Sequence, residues 1–417
     1  MCLSDSTGHW ATRPRSRFCR ASTEPVVSIA HRSGVGPPGL QSPRLPKPQR
    51  RARCPAPSVR RPPRSVWRLS APVGAAIVAG VLPSGVGGAD AATVTPPPRI
   101  GATMASDASS ATSVLFGGSR SGVLRNDTWA WNGSAWQKRK AATRPPVRYG
   151  AAMASDPDTK GVVLFGGKGD AADDSGQCCL NRGDTWSWRG SAGTWTQRSP
   201  AVSPPARSWA AMASDKANGN VVLFGGFTGN ALSVCTPSLA DTWLWDGAAG
   251  TWTQASPATS PPPRYFAATA YDGATGTVVL FGGVVLGGSV STCGRASNDT
   301  WVWDGSTGTW TQVTPPVSPP ARDQATMSYD KARRKVVLYG GTGVGGAQDT
   351  ATWLWDGVTR TWSQAETTTS PGPVRQAAMD YHGPSQKTVL FGGVLPGSEF
   401  TLNEATWTWN SLKWRKW

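Results

Sequence analysis

The sequence predicts an all-β fold made of six copies of a four-stranded unit. Three observations carry that expectation. First, the apolar run Val163-Leu164-Phe165-Gly166-Gly167 recurs, with near-identical copies ending at Gly117-Gly118, Gly225-Gly226, Gly282-Gly283, Gly340-Gly341 and Gly392-Gly393. The first glycines lie 49, 59, 57, 58 and 52 residues apart, and a period of about 50 residues is the mark of a repeat architecture. Second, turn pairs such as Asp304-Gly305 and Asn132-Gly133 separate alternating apolar segments, which is a hairpin signal. Third, helical periodicity is almost absent.

Each copy has the same elements in the same order. A Pro-rich lead ends in an arginine: Arg99, Arg148, Arg207, Arg264, Arg322 and Arg375. Strand A follows, a stretch of small residues such as Gly150-Ala151-Ala152-Met153-Ala154. Strand B is the β-branched and aromatic run, stopped by two glycines that supply turn conformations other residues resist. Strand C alternates and carries two tryptophans, as in Asp241-Thr242-Trp243-Leu244-Trp245. Strand D carries a third, as in Thr251-Trp252-Thr253-Gln254.

The double glycine with later tryptophans resembles the kelch repeat, and the resemblance covers residues 99 to 414. It implies a β-propeller, here of six four-stranded blades. The residues agree with it: one such sheet cannot bury both its faces, so the copies must stack around an axis. Thr93-Val94-Thr95-Pro96-Pro97-Pro98 resembles the ends of later D strands. It reads either as an extra strand that joins the last blade and helps close the ring, or as a linker.

Spacing shows where the repeat tolerates change. From the arginine to the first glycine is 18 residues in five copies and 17 in the last. From the third tryptophan to the next arginine is 12 residues four times and then 13. From the first glycine to the first tryptophan is 12, 20, 18, 19, 13 and 15. Length therefore varies in the B–C loop, and variable loops on a rigid scaffold are where binding concentrates. These loops share one face with the arginines, so that face is expected to carry a ring of six arginines and the long loops of copies 2 to 4.

Residues 1–91 stand apart as a leader, and 92–417 as the propeller. The leader is rich in Arg, Pro and Ser, a composition of disorder. Arg60, Arg61, Arg64 and Arg68 precede the apolar run from Ala71 to Leu82, and Ala89-Asp90-Ala91 follows. That order is a secretory signal, so the chain is expected to be exported. A start near Val59 or Val66 would give that signal normal proportions, and a basic arm is the alternative. The apolar run is too short and too Gly-rich for a stable membrane span. The chain carries a formal charge of +17, most of it in the leader. The remainder mixes basic and acidic residues and is no nucleic-acid footprint.

The residue types point to several candidate sites. Cys178, Cys179, Cys235 and Cys293 fall in the three longest B–C loops, and an even count in an exported chain predicts two disulfides across copies 2, 3 and 4. Four thiolates could instead hold zinc, but no CxxC spacing is present, so no metal site is expected. The repeating tryptophans could stack sugars, yet their fixed strand positions favour packing between blades. Tyr149, Trp209, Tyr265 and Phe266 follow the arginines and vary between copies, which makes them candidate ligand contacts. The arginines Arg148, Arg207, Arg264, Arg322 and Arg375 have two readings. They could converge on an anion, or each could tie strand A to an Asp before strand C: Asp127, Asp184, Asp241 or Asp299. Ala351 and Ala405 take that place in the last two copies, which would leave Arg322 and Arg375 freest to bind.

Catalysis is argued against mainly by what is missing. His9 and His31 lie in the leader, leaving His382 alone in the propeller. Kelch-type galactose oxidases need two histidines for copper, so that activity does not carry over, and no cofactor is expected. Glu366, Glu399 and Glu404 form no recognisable acid–base pair; Glu399 is the best single candidate. The expectation is a secreted, monomeric, non-catalytic binding module for an extracellular protein or glycan. The alternative is an enzyme resembling the sialic-acid mutarotases, using an arginine-lined mouth; it would need a buried carboxylate near the axis.

Overall fold

The computed structural model describes residues 95–170, 180–229, 238–286, 294–397, 401–410 and 412–417. Cys178, Cys179, Cys235, Cys293, Glu399 and the whole leader lie outside the described residues.

Six four-stranded antiparallel sheets are present among the described residues, each ordered A-B-C-D along the chain. The third sheet is representative. Ala211–Asp215 pairs with Asn220–Phe224, which pairs with Thr242–Asp246, which pairs with Thr251–Ala255. The six A strands are Thr103–Asp107, Ala152–Ser155, Ala211–Asp215, Ala268–Asp272, Thr326–Asp330 and Ala378–His382. Each touches the A strands on either side, and the first touches the last, so they line one closed cycle around an axis. The fold is an all-β propeller.

Three sets of contacts explain the cycle, and all three run through the seam between the last sheet and the first. The second glycine of each pair donates its N–H to the carbonyl of the next sheet's arginine position, at 2.9 Å all the way round, from Gly118 to Arg148 and finally from Gly393 to Arg99. A Cβ on Gly117 would lie 2.7 Å from the Arg148 carbonyl oxygen, and Gly117 has φ +69°, so both conformation and approach demand glycine. Next, the residue two places after each arginine position sits in the left-handed region: Gly101, Gly150, Trp209, Phe266, Gln324 and Gln376, with φ between 55° and 62°. Their amides and carbonyls link head to tail in a closed ring of hydrogen bonds of 2.8–3.3 Å.

The tryptophans supply the third set. Each strand-D indole donates to a threonine of the preceding sheet, as Trp252 Nε1 does to Thr185 Oγ1 at 2.9 Å, and Trp136 closes the round onto Thr406 at 2.8 Å. The same indole meets an aromatic at the end of strand B in the preceding sheet, as Trp252 meets Phe165 with centroids 5.4 Å apart. The strand-C tryptophans Trp245 and Trp303 are 1 % and 0 % exposed. The tryptophans therefore pack between sheets, as their fixed positions predict.

Thr95–Pro98 forms no strand, and all four strands of the last sheet come from one continuous stretch, Ala378 to Lys416. The described part of the expected extra strand is therefore a linker. The ring closes by side-chain packing and these hydrogen bonds instead of a shared sheet.

His382 belongs to that seam. The other five A strands or the turns after them place an Asp at this position, and Asp107 accepts the Gly190 amide of the next sheet at 2.6 Å. His382 instead lies under Gly133 of the first sheet, where a Cβ would meet its ring at 2.9 Å. Its Nε2 donates to the Ala111 carbonyl at 3.0 Å and its Nδ1 faces the Ser385 hydroxyl at 2.8 Å. Burial holds the imidazole below its ordinary pKa of 6.5, with the Ala111 carbonyl opposing. The unfolded chain therefore takes up a proton that the folded chain refuses, so the contribution is complete above pH 6.5 and is lost as pH falls below it. His382→Asp should remove that dependence. Comparing melting midpoints at pH 7.5 and 5.5 checks this, and equal drops in both proteins would sink it.

Candidate functional site

Two places on the axis hold the candidate residues, one at each end. The first is the arginine end. Arg99, Arg148, Arg207 and Arg264 are each buried to within 1 %. Each donates to a carboxylate through both terminal nitrogens and to a glycine carbonyl of its own sheet; for Arg207 these are Asp241 at 2.6 and 2.7 Å and Gly225 at 2.9 Å. Its Nε donates to the Pro205 carbonyl at 3.0 Å. The strand-C indole of Trp243 adds a bond to Asp241 at 2.7 Å. Burial pushes the Asp241 carboxyl up, but Arg207 and Trp243 outweigh it and hold it below the usual carboxylate range. These guanidinium groups clamp each sheet's own strands together.

The last two sheets depart from the expected pattern. Arg322 is not left free. Asp349, two residues before Ala351, takes the missing carboxylate's place at 2.5 Å from its Nη2. Arg375 is not in the ring at all. Val374 occupies the buried place, since its carbonyl accepts the Gly341 amide where the other sheets use an arginine, and it is 1 % exposed. The 17-residue spacing in this copy is the sequence trace of that shift. Asn403 completes the change, donating to the Gly392 carbonyl at 3.1 Å where the other sheets place a guanidinium. Among the described residues, the mouth is therefore not lined by arginines.

What lines it are the side chains of the left-handed ring. The Trp209 indole lies over two glycines: a Cβ on Gly150 would meet it at 2.6 Å and one on Gly101 at 2.8 Å. Tyr149 meets Trp209 edge-on at 5.6 Å, Phe266 packs on it at 4.4 Å, and Tyr265 reaches Phe266 at 5.1 Å. All four rings are partly exposed. The structure thus brings together Tyr149, Trp209, Tyr265 and Phe266, which sequence variation alone had singled out. Asp323 joins them at this end. Burial pushes its carboxyl up, against a 2.6 Å bond from Gln324 and the pull of Arg375.

The second place is the opposite mouth, where the A–B turns meet. A cavity of about 600 Å³ opens there. Asp380 lines it, at a strand-A position filled by Ala105, Ala154, Ala213, Ala270 and Ser328 in the other copies. Its Oδ2 accepts the hydroxyls of Ser106, at 2.7 Å, and Ser113. Burial pushes this carboxyl up, with Ser113, Ser106 and Lys216 opposing. This is the axial carboxylate missing from the sequence reading. The one signal for it was an acid in a column of small residues. Among the described residues no three His, Cys, Asp or Glu side chains group as metal ligands, and no helix is long and apolar enough to cross a membrane.

Residues 89–283 match the family model for the KLHDC2/KLHL20/DRC7 kelch-repeats domain. The match supports a kelch-repeat family. No curated protein matches it. The matched span ends at the double glycine of the fourth copy, and the fifth and sixth copies of this kelch propeller repeat the same strands, glycines and tryptophans. Kelch repeats generally mediate protein binding, and the aromatic mouth of this propeller lies on the face where the sheet connections vary.

Proposed function

We propose that this kelch propeller is an exported, non-catalytic binding module. Its ligand is an extracellular protein or glycan, and it binds through the aromatic mouth around Trp209. One observation carries the reading. Two members of the left-handed ring are glycines, at no conformational cost, while Trp209, Phe266, Gln324 and Gln376 hold the same conformation with full side chains. A left-handed backbone costs a non-glycine residue about 1–2 kcal/mol. Such strain, held at an exposed mouth, marks a place kept for its side chains. Trp and Tyr also dominate binding hot spots.

The test follows from the ring itself. Trp209→Gly installs the residue that the first two copies already use, so stability should change by no more than about 1 kcal/mol. A thermal-shift screen would cover neutral and acidic oligosaccharides, polysaccharides and co-secreted proteins. A ligand present at about a hundred times its dissociation constant adds about 2.7 kcal/mol to the native state. The expected result is a ligand that raises the melting point of the wild type and leaves Trp209→Gly unmoved. A ligand that shifts both equally would place binding elsewhere.

A further inference from the structure

We propose that the axial cavity at the A–B turn face is a second binding site, for a small hydroxylated organic anion. It lies at the opposite end from the Trp209 mouth and does not depend on that reading.

The lining decides the ligand's charge. Lys216, Lys331 and Arg334 stand at the rim, against one carboxylate in the wall, Asp380. A cavity with an excess of cations concentrates anions. Arg334 also holds a left-handed backbone, φ 57°, at a turn position where the third and fourth copies use Gly219 and Gly276. Its guanidinium is kept beside Tyr329 at the rim, where it reinforces the two lysines.

The deeper wall decides the rest. Lys216 belongs to the third sheet and Asp380 to the sixth, so they face each other across the cycle, and the ammonium acts electrostatically on the carboxylate. A ligand between them must offer an acceptor to one and a donor to the other. Ser214, two residues before Lys216, is 7 % exposed and lines the same cavity, and its Oγ has no hydrogen-bond partner among the described residues. A buried hydroxyl without a partner is costly, and a ligand hydroxyl would satisfy it. Carboxylate toward the rim and hydroxyls toward Asp380 and Ser214 describe a sugar acid or hydroxy acid. The cavity volume of about 600 Å³ falls in the ordinary range for small-molecule sites.

Titration calorimetry with glucuronate and gluconate tests this, with glucose and sorbitol as their neutral counterparts. The acids should bind at least tenfold more tightly than the neutral compounds, and less tightly as salt is raised. Asp380→Ala restores the residue found at this position in four other copies, so it should fold, and melting checks that it does. It should weaken the acids at least tenfold. Lys216→Ala with Lys331→Ala should also weaken the acids tenfold and bring them level with the neutral compounds. Trp209→Gly should leave all these affinities unchanged. The proposal fails if neither acid binds, if the acids bind no better than their neutral counterparts, or if a folded Asp380→Ala keeps wild-type affinity.

Discussion

Asp241→Ala should destabilise the propeller by about 3–5 kcal/mol, because it strands a guanidinium that is 1 % exposed. Arg207 would keep its bonds to Gly225 and Pro205 but lose both bonds to the carboxylate. The sixth sheet supplies a control inside the same molecule. There, Val374 and Asn403 replace the pair, and the asparagine bonds the glycine carbonyl directly. Asn403 stands at the place of Leu239, and Ala405 at that of Asp241, so Arg207→Val with Leu239→Asn and Asp241→Ala copies that solution into the third sheet and should recover more than half of the loss. This is the behaviour expected where a buried ion pair is exchanged for an apolar group and a satisfied polar one. Denaturant midpoints at constant slope measure both variants. A single variant within about 1 kcal/mol of wild type would show that the clamp contributes little. A triple variant no better than the single would show that the sixth sheet owes its order to other contacts.

Trp252→Ala should cost a similar amount, about 3–5 kcal/mol, by a different route. The indole is 4 % exposed and packs among Phe165, Trp245 and the valines between the second and third sheets. Removing it opens a cavity at a seam and leaves the Thr185 hydroxyl without its donor. Each sheet meets only its two neighbours, so the damage is confined to one interface, but a closed ring loses its closure when any interface opens. Thr185→Ala keeps the indole packed and removes only the hydrogen bond, at about 1 kcal/mol. If the two variants cost the same, the packing account of the strand-D tryptophans is refuted.

The sequence by itself determined the all-β repeat fold, the strand order and the packing role of the tryptophans. These follow from local pattern: alternation, paired glycines and turn residues recur in every copy, and recurrence makes each copy evidence for the rest. It also singled out Tyr149, Trp209, Tyr265 and Phe266, because they vary inside an otherwise uniform stretch. Tertiary structure decided what needs distance. A carboxylate two residues early, at Asp349, still reaches Arg322, because loop length and not residue count sets where a side chain arrives. The 17-residue spacing before Gly392 was legible, but only the carbonyl that accepts the Gly341 amide shows that Val374, and not Arg375, fills the sixth place. Asp380 and Lys216 are 164 residues apart and become neighbours of one cavity only when six sheets close on an axis. Closure is the reason: a repeat specifies its own strands through short-range pattern, whereas what stands across the ring depends on every copy between.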